Sequence, residues 1–205
     1  MHAMLVALSM LGGCSEPEFR TDYTRAALRT VSAESLSDMR EPGPRELVVV
    51  INGNAFKGAH AGLFAGARLY DPSGTYTRTR SEDKAWRGPR LADYLAYQLA
   101  DGPDVRMYRY TLDTFDFDLI QGRISRAGWT MPTDCGKSVR DALAGIGPFD
   151  TLKNDGWISP KRLASLLDAL DAREQTDPDP MLTAAPEPAR IVPQAASGAA
   201  IQNTP

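Results

Sequence analysis

The sequence predicts an α+β protein, with a small antiparallel sheet packed against helices. Three observations carry this. Glu46–Ile51 is a continuous apolar, β-branched run, as suits a buried strand. Turn-forming glycines and prolines then divide the chain into strand-length pieces as far as Thr79. From Leu91 onward apolar residues recur at helical spacing, interrupted once by an alternating stretch at Val105–Tyr110.

At 205 residues, 42% apolar and 24% charged, the chain is long enough for one domain with a sizeable core. The net charge of −3 is spread over interleaved signs. No basic stripe marks a nucleic-acid surface, so no nucleic acid is expected as a partner.

The elements follow in order. Met1–Leu11 is an apolar run that ends in Leu11-Gly12-Gly13-Cys14. It is too short to span a bilayer as a helix and reads as the apolar region of a secretory signal. Residues 15–45 read as a tether with a helical patch (Tyr23, Ala26, Ala27, Leu28, Val31), closed by Glu41-Pro42-Gly43-Pro44. The main domain is expected over 46–173.

Within that domain, Asn52-Gly53-Asn54 is a turn signal after the first strand. Ala59–Ala65 reads as a second strand, with Gly58, Gly62 and Gly66 allowing close backbone approach. Gly66-Ala67 turns the chain into Arg68–Asp71, and Thr75–Thr79 reads as a further strand. Leu91, Tyr94, Leu95 and Leu99 mark a helix stopped by Asp101-Gly102-Pro103. Phe115, Leu119, Ile120, Ile124 and Ala127 mark another. Thr133 or Asp134 caps a helix that begins near Cys135. Ser159-Pro160 opens the last helix, whose buried face is Leu163, Leu166, Leu167 and Leu170. The Ala/Pro-rich stretch 174–205 is expected to be disordered.

Beyond the first fourteen residues there is one cysteine, Cys135, and one histidine, His60. A thiol becomes a thiolate at neutral pH beside a base or at a helix N-terminus, and this chain offers both. Taken singly, such a Cys or His is more often a core residue. One Cys and one His fall short of the three or four protein ligands that zinc takes. No metal and no cofactor are expected. Asp113, Asp116 and Asp118 lack a surrounding EF-hand loop and are expected to cap and line the polar face of a helix. Trp86, Trp129 and Trp157 flank loops, where they pack the core or line a groove.

Two resemblances add to this. Leu11-Gly12-Gly13-Cys14 resembles the bacterial lipobox, although no Lys or Arg precedes the apolar run. It implies an exported protein held by lipid on Cys14 at the periplasmic face of a bacterial envelope. Without that lipid, a Cys14–Cys135 disulfide is the alternative. The order of the motifs, from His60-Ala61-Gly62-Leu63-Phe64 through Leu69-Tyr70-Asp71-Pro72 and Thr133-Asp134-Cys135-Gly136-Lys137-Ser138-Val139 to Ile158-Ser159-Pro160, spans about residues 46–171. It resembles the circularly permuted branch of the NlpC-type papain-like cysteine hydrolases, an arrangement that lecithin-retinol acyltransferase shares. The resemblance implies a papain-like fold, Cys135 as nucleophile and His60 as base. It places a third polar residue on the strand after the histidine, with Asp71 first and Asn52 or Asn54 as alternatives. Asp134, beside Cys135, disfavours the thiolate unless its side chain caps the helix.

Three functions stay open at this stage. One is an envelope amidase or peptidase acting on peptidoglycan peptides. Another is a lipid acyl hydrolase or acyltransferase working through a Cys thioester, which calls for an exposed apolar patch beside the site. The third is a non-catalytic envelope protein that binds a peptide or a partner on the same fold.

Overall fold

Strand β2 (Glu46–Asn52) is the centre of the structure because its apolar run leaves neither face fit for water. Every residue of it is buried. The computed structural model describes residues 24–54 and 59–176. Residues 1–23, on which the expected secretory signal and Cys14 lipidation fall, residues 55–58 and residues 177–205 lie outside the described residues.

Five strands form one antiparallel sheet in the order β1-β5-β2-β3-β4. They are β1 (Thr24–Thr30), β2, β3 (His60–Ala65), β4 (Arg68–Tyr70) and β5 (Val105–Thr111). Five helices accompany them: α1 (Thr75–Ser81), α2 (Leu91–Leu99), α3 (Thr114–Arg126), α4 (Cys135–Leu143) and α5 (Pro160–Thr176). The chain divides into two compact units at Leu170. The first holds the sheet and all that concerns the site. The described part of the second is the end of α5, including residues 174–176 of the stretch expected to be disordered.

Strand alternation sorts the core into two layers. Leu47, Val49, Ile51, Ala61, Leu63, Tyr108 and Tyr110 face α3, α4 and α5, meeting Ile120, Val139, Leu143, Leu163 and Leu167. Val48, Val50, Phe64, Val105 and Met107 face the other way, onto Tyr76 of α1 and Leu91, Tyr94 and Leu95 of α2. The fold is therefore mixed α+β, with helices on both faces of a small antiparallel sheet.

Three expectations need correcting. Residues 24–30, expected within a tether with a helical patch, form edge strand β1, paired to β5 with an irregularity between Ala26 and Arg29. The open backbone of β5 recruits the segment, and edge pairing outweighs its helical spacing. The folded chain thus begins well before residue 46. Thr75–Thr79, expected as a strand, is helix α1. The cause is the Asp71 carboxylate, whose Oδ2 accepts from the N–H groups of Tyr76 at 3.0 Å and Thr77 at 3.2 Å; this satisfies donors a first helical turn leaves open. Of the three aspartates assigned to a helix's polar face, Asp113 does cap α3, accepting from Asp116 N–H at 2.8 Å. Asp116 itself is buried, with Oδ2 unpartnered.

The last helix starts as its sequence predicts. Ser159 Oγ accepts from Arg162 N–H at 3.1 Å, and Pro160 occupies the first turn.

Candidate active site

β4 is only three residues long and pairs with β3 only from Leu63 to Ala65. The outer edge of β3 from His60 to Gly62 is therefore left without a strand neighbour. The start of α4 fills that place. A 3-10 turn at Pro132–Asp134 leads into the helix and brings Cys135 against the strand edge, where Ala61 N–H faces the sulfur. Gly136 makes the approach of α5 possible. A Cβ there would lie 2.6 Å from Pro160 N and 2.8 Å from Ile158 O, so only glycine lets the two helix starts meet.

His60 stands at the head of β3 and Asp71 just beyond β4. Nε2 of His60 lies 2.9 Å from Oδ1 of Asp71, an ion-pair contact rather than a linear hydrogen bond. Oδ2 of the same carboxylate is taken by the α1 N–H groups. With Nε2 turned to Asp71, Nδ1 is the nitrogen left for Cys135.

Cys135 is wholly buried, at 0% exposure, and His60 and Asp71 nearly so. Burial works against protonation of His60, but the Asp71 carboxylate and the Cys135 sulfur outweigh it and hold the imidazolium up to about 9. Burial likewise pushes the Cys135 thiol up. The His60 imidazole, the Ser73 hydroxyl and the Ala61 N–H together bring it below its ordinary value. The Pro132 carbonyl, 3.2 Å from the sulfur, accepts from the neutral thiol and so acts in the opposite sense. The two shifts are mutual, because the charged form of each group favours the charged form of the other.

The structure thus brings Cys135, His60 and Asp71 together. It does not bring Asn52 or Asn54 into the group. Asn52 pairs with His60 in register, yet its amide donates to Gln98 and Asp101 and its oxygen accepts from Asn54. Asp134 occupies the N-cap position of α4 but makes no capping hydrogen bond with its side chain. Among the described residues no cluster of His, Cys, Asp and Glu could hold a metal ion.

Two features escaped the sequence. Ser73 is buried at 5% exposure with its Oγ unpartnered, and its hydroxyl is among the groups that lower the Cys135 thiol. Its only signal was a position two residues after Asp71 in the same turn. The other is a rim of exposed apolar side chains near the start of α4: Trp129 at 60%, Met131 at 67% and Trp157 at 59% exposure. The Trp157 indole N–H donates to Thr133 O at 3.0 Å, which fixes that ring beside the turn. Beside α4 lies a cleft of about 430 Å³, lined by Tyr70, Trp129, Lys137 and Ser138 among others.

No family model matches the chain, and no curated protein or solved structure does so either.

Proposed function

We propose that this chain is a cysteine hydrolase of the cell envelope that cleaves amide bonds, with peptidoglycan peptides as substrate. The supporting observation is the meeting of Cys135, His60 and Asp71 at one open strand edge. Their order along the chain fits the permuted NlpC-type, papain-like plan. Export and a lipid anchor at Cys14 belong to the same proposal and rest on the leader residues. Among the described residues no helix is long and apolar enough to cross a membrane.

The chemistry runs as acyl transfer. His60 holds the thiol proton, and the Cys135 thiolate adds to the carbonyl carbon, whose π pair moves onto oxygen. The Cys135 N–H at the helix start donates to that oxyanion. Collapse expels the amine, which takes the proton from His60, and leaves a thioester. Water, deprotonated by His60, then adds to the thioester carbonyl; the C–S bond breaks, the acid leaves, and the Cys135 thiolate with protonated His60 is restored. Asp71 orients the imidazole and stabilises its charged form.

A second reading is favoured by the rim of Trp129, Met131 and Trp157. An apolar rim suits an acyl chain, making the substrate a lipid ester and the product the same thioester.

The test is iodoacetamide alkylation of the Cys135 peptide against pH, read by mass spectrometry, in the wild-type chain and in His60→Ala. The expected midpoint lies well below about 8.5, the value of a free thiol, and rises in the variant. An ordinary midpoint indifferent to His60 would reject both hydrolase readings in favour of a non-catalytic binding protein.

A further inference from the structure

We propose that the cleft beside α4 binds a carboxylate of an acidic peptide, held between Arg126 and Lys137. That this peptide is the substrate rests on the hydrolase reading, which the inference deepens by naming the charge the substrate carries.

The charge of the cleft is the first observation. Arg123, Arg126 and Lys137 line it, and Asp141 is the one acid among its lining residues. That acid is already taken. Its Oδ2 pairs with Lys137 Nζ, and its Oδ1 accepts from Nε and Nη2 of the buried Arg140 at 2.9 and 2.6 Å. Arg123 spends Nη1 on the carbonyl oxygens of Asp141, Ala142 and Ala144, where α4 ends. Arg126, exposed at the end of α3, has no carboxylate partner among the described residues, and neither has Arg123. The cleft therefore holds an excess of positive charge in a chain whose net charge is −3. A concave site of one sign concentrates ions of the other.

The walls are the second observation. Trp129 is exposed, yet its ring is held from two sides. A Cβ at Gly74 would lie 1.3 Å from the indole, so the ring packs directly on that glycine, and the Arg78 guanidinium sits 4.9 Å from the ring centroid. Thr130 N–H donates to Pro72 O at 2.8 Å, which ties this wall to the turn that follows Asp71. A wall set in advance lowers the ordering cost of binding. At about 430 Å³ the cleft has the size of a small-ligand site.

Position is the third. Lys137, Ser138 and Asp141 follow Cys135 along α4, about 3–9 Å down the axis at about 1.5 Å per residue. An extended peptide advances about 3.3 Å per residue. A carboxylate in the cleft thus lies about one to three residues from the bond cut. Three cations make a poor bed for an acyl chain, whereas a guanidinium and an ammonium donate to a carboxylate in strong charge-assisted bonds. The cleft favours a peptide over a lipid ester.

The test is isothermal titration calorimetry of the full-length chain at low salt with two synthetic peptides, acetyl-Ala-Glu-Ala-amide and acetyl-Ala-Gln-Ala-amide. The glutamate peptide is expected to bind about tenfold more tightly, the worth of one charge-assisted hydrogen bond. Arg126→Gln and Lys137→Gln should each remove most of that preference. Arg87→Gln, which loses a charge from the exposed 82–90 loop, should keep it. Thermal melts verify that each variant is folded. No binding, equal affinity for the two peptides, or a preference that survives both cleft substitutions overturns the assignment. So does sedimentation with phosphatidylglycerol vesicles that depends on Arg126 and Lys137 while the peptides are not distinguished; the cations then serve an anionic lipid surface. The Cys135 alkylation midpoint is read on the same samples. A glutamate preference with an ordinary midpoint keeps the cleft as a peptide site and rejects the hydrolase. A lowered midpoint without the preference rejects the cleft and keeps the hydrolase.

Discussion

Asp71 uses its two oxygens for different ends. Oδ1 meets His60, while Oδ2 caps α1. The two effects separate by substitution. Asp71→Asn keeps acceptor capacity for the α1 N–H groups but loses the charge that favours imidazolium. Its melting temperature is expected to stay near wild type while alkylation of Cys135 at pH 7 slows about tenfold, the equivalent of one pKa unit. Asp71→Ala is expected to lose the cap as well, at about 1 kcal/mol. Unchanged alkylation in the asparagine variant would detach Asp71 from the site. Cys135, His60 and Asp71 were legible in the sequence because the domain has one cysteine and one histidine, and an acid lies at the end of the next strand. Ser73 was not legible, because serine in a Pro-Ser-Gly turn is ordinary; only its burial beside Asp71 distinguishes it.

At the scale of elements, the packing of α4 against α5 depends on one missing methyl group. Gly136→Ala forces backbone at Ile158–Pro160 to move, because the added Cβ meets main-chain atoms rather than a flexible side chain. An expected loss of about 1–3 kcal/mol follows, measured by urea denaturation, together with slower alkylation of the adjacent Cys135. A variant as stable as wild type would mean that the helix starts separate freely. Another tie fixes the same region. Arg140, buried in α4, donates to the carbonyl oxygens of Asp155 and Gly156 and to Asp141, which holds the loop leading into α5. The apolar run of β2, the alternation of β5 and the periodic faces of α3 and α5 announced those elements. α1 and β1 could not be read in the same way. The β-branched string Thr75-Tyr76-Thr77-Arg78-Thr79 turns helical because Asp71, four residues ahead of it, caps its first turn. Residues 24–30 extend because β5 offers an open edge. The first cause is a local cap that apolar periodicity does not register, and the second is tertiary.

For the whole molecule, the site links protonation to folding. His60 binds its proton more tightly folded, at about 9 against 6.5. Its stabilisation is full below pH 6.5 and is lost as pH rises through about 9. Cys135, lowered by folding, contributes in the opposite sense: its share is present above the ordinary thiol value and is lost as pH falls. Where both groups titrate the two slopes oppose each other, so the wild-type urea midpoint is expected to change less between pH 7.5 and 8.5 than His60 alone would make it. Cys135→Ala removes the opposing slope and part of what raises His60, so its stability is expected to fall with rising pH only by what Asp71 alone sustains. Parallel curves for the two proteins would show that the pair is not ionised. The sheet has a last consequence. His60, Asp71 and Ser73 precede the 82–90 loop, and Cys135 follows it, while β5 belongs between β1 and β2. A chain nicked in that loop yields two fragments, neither of which carries a complete site. On the proposed reading, alkylation of Cys135 at neutral pH becomes a reporter of complementation, appearing only when the halves rebuild the sheet together.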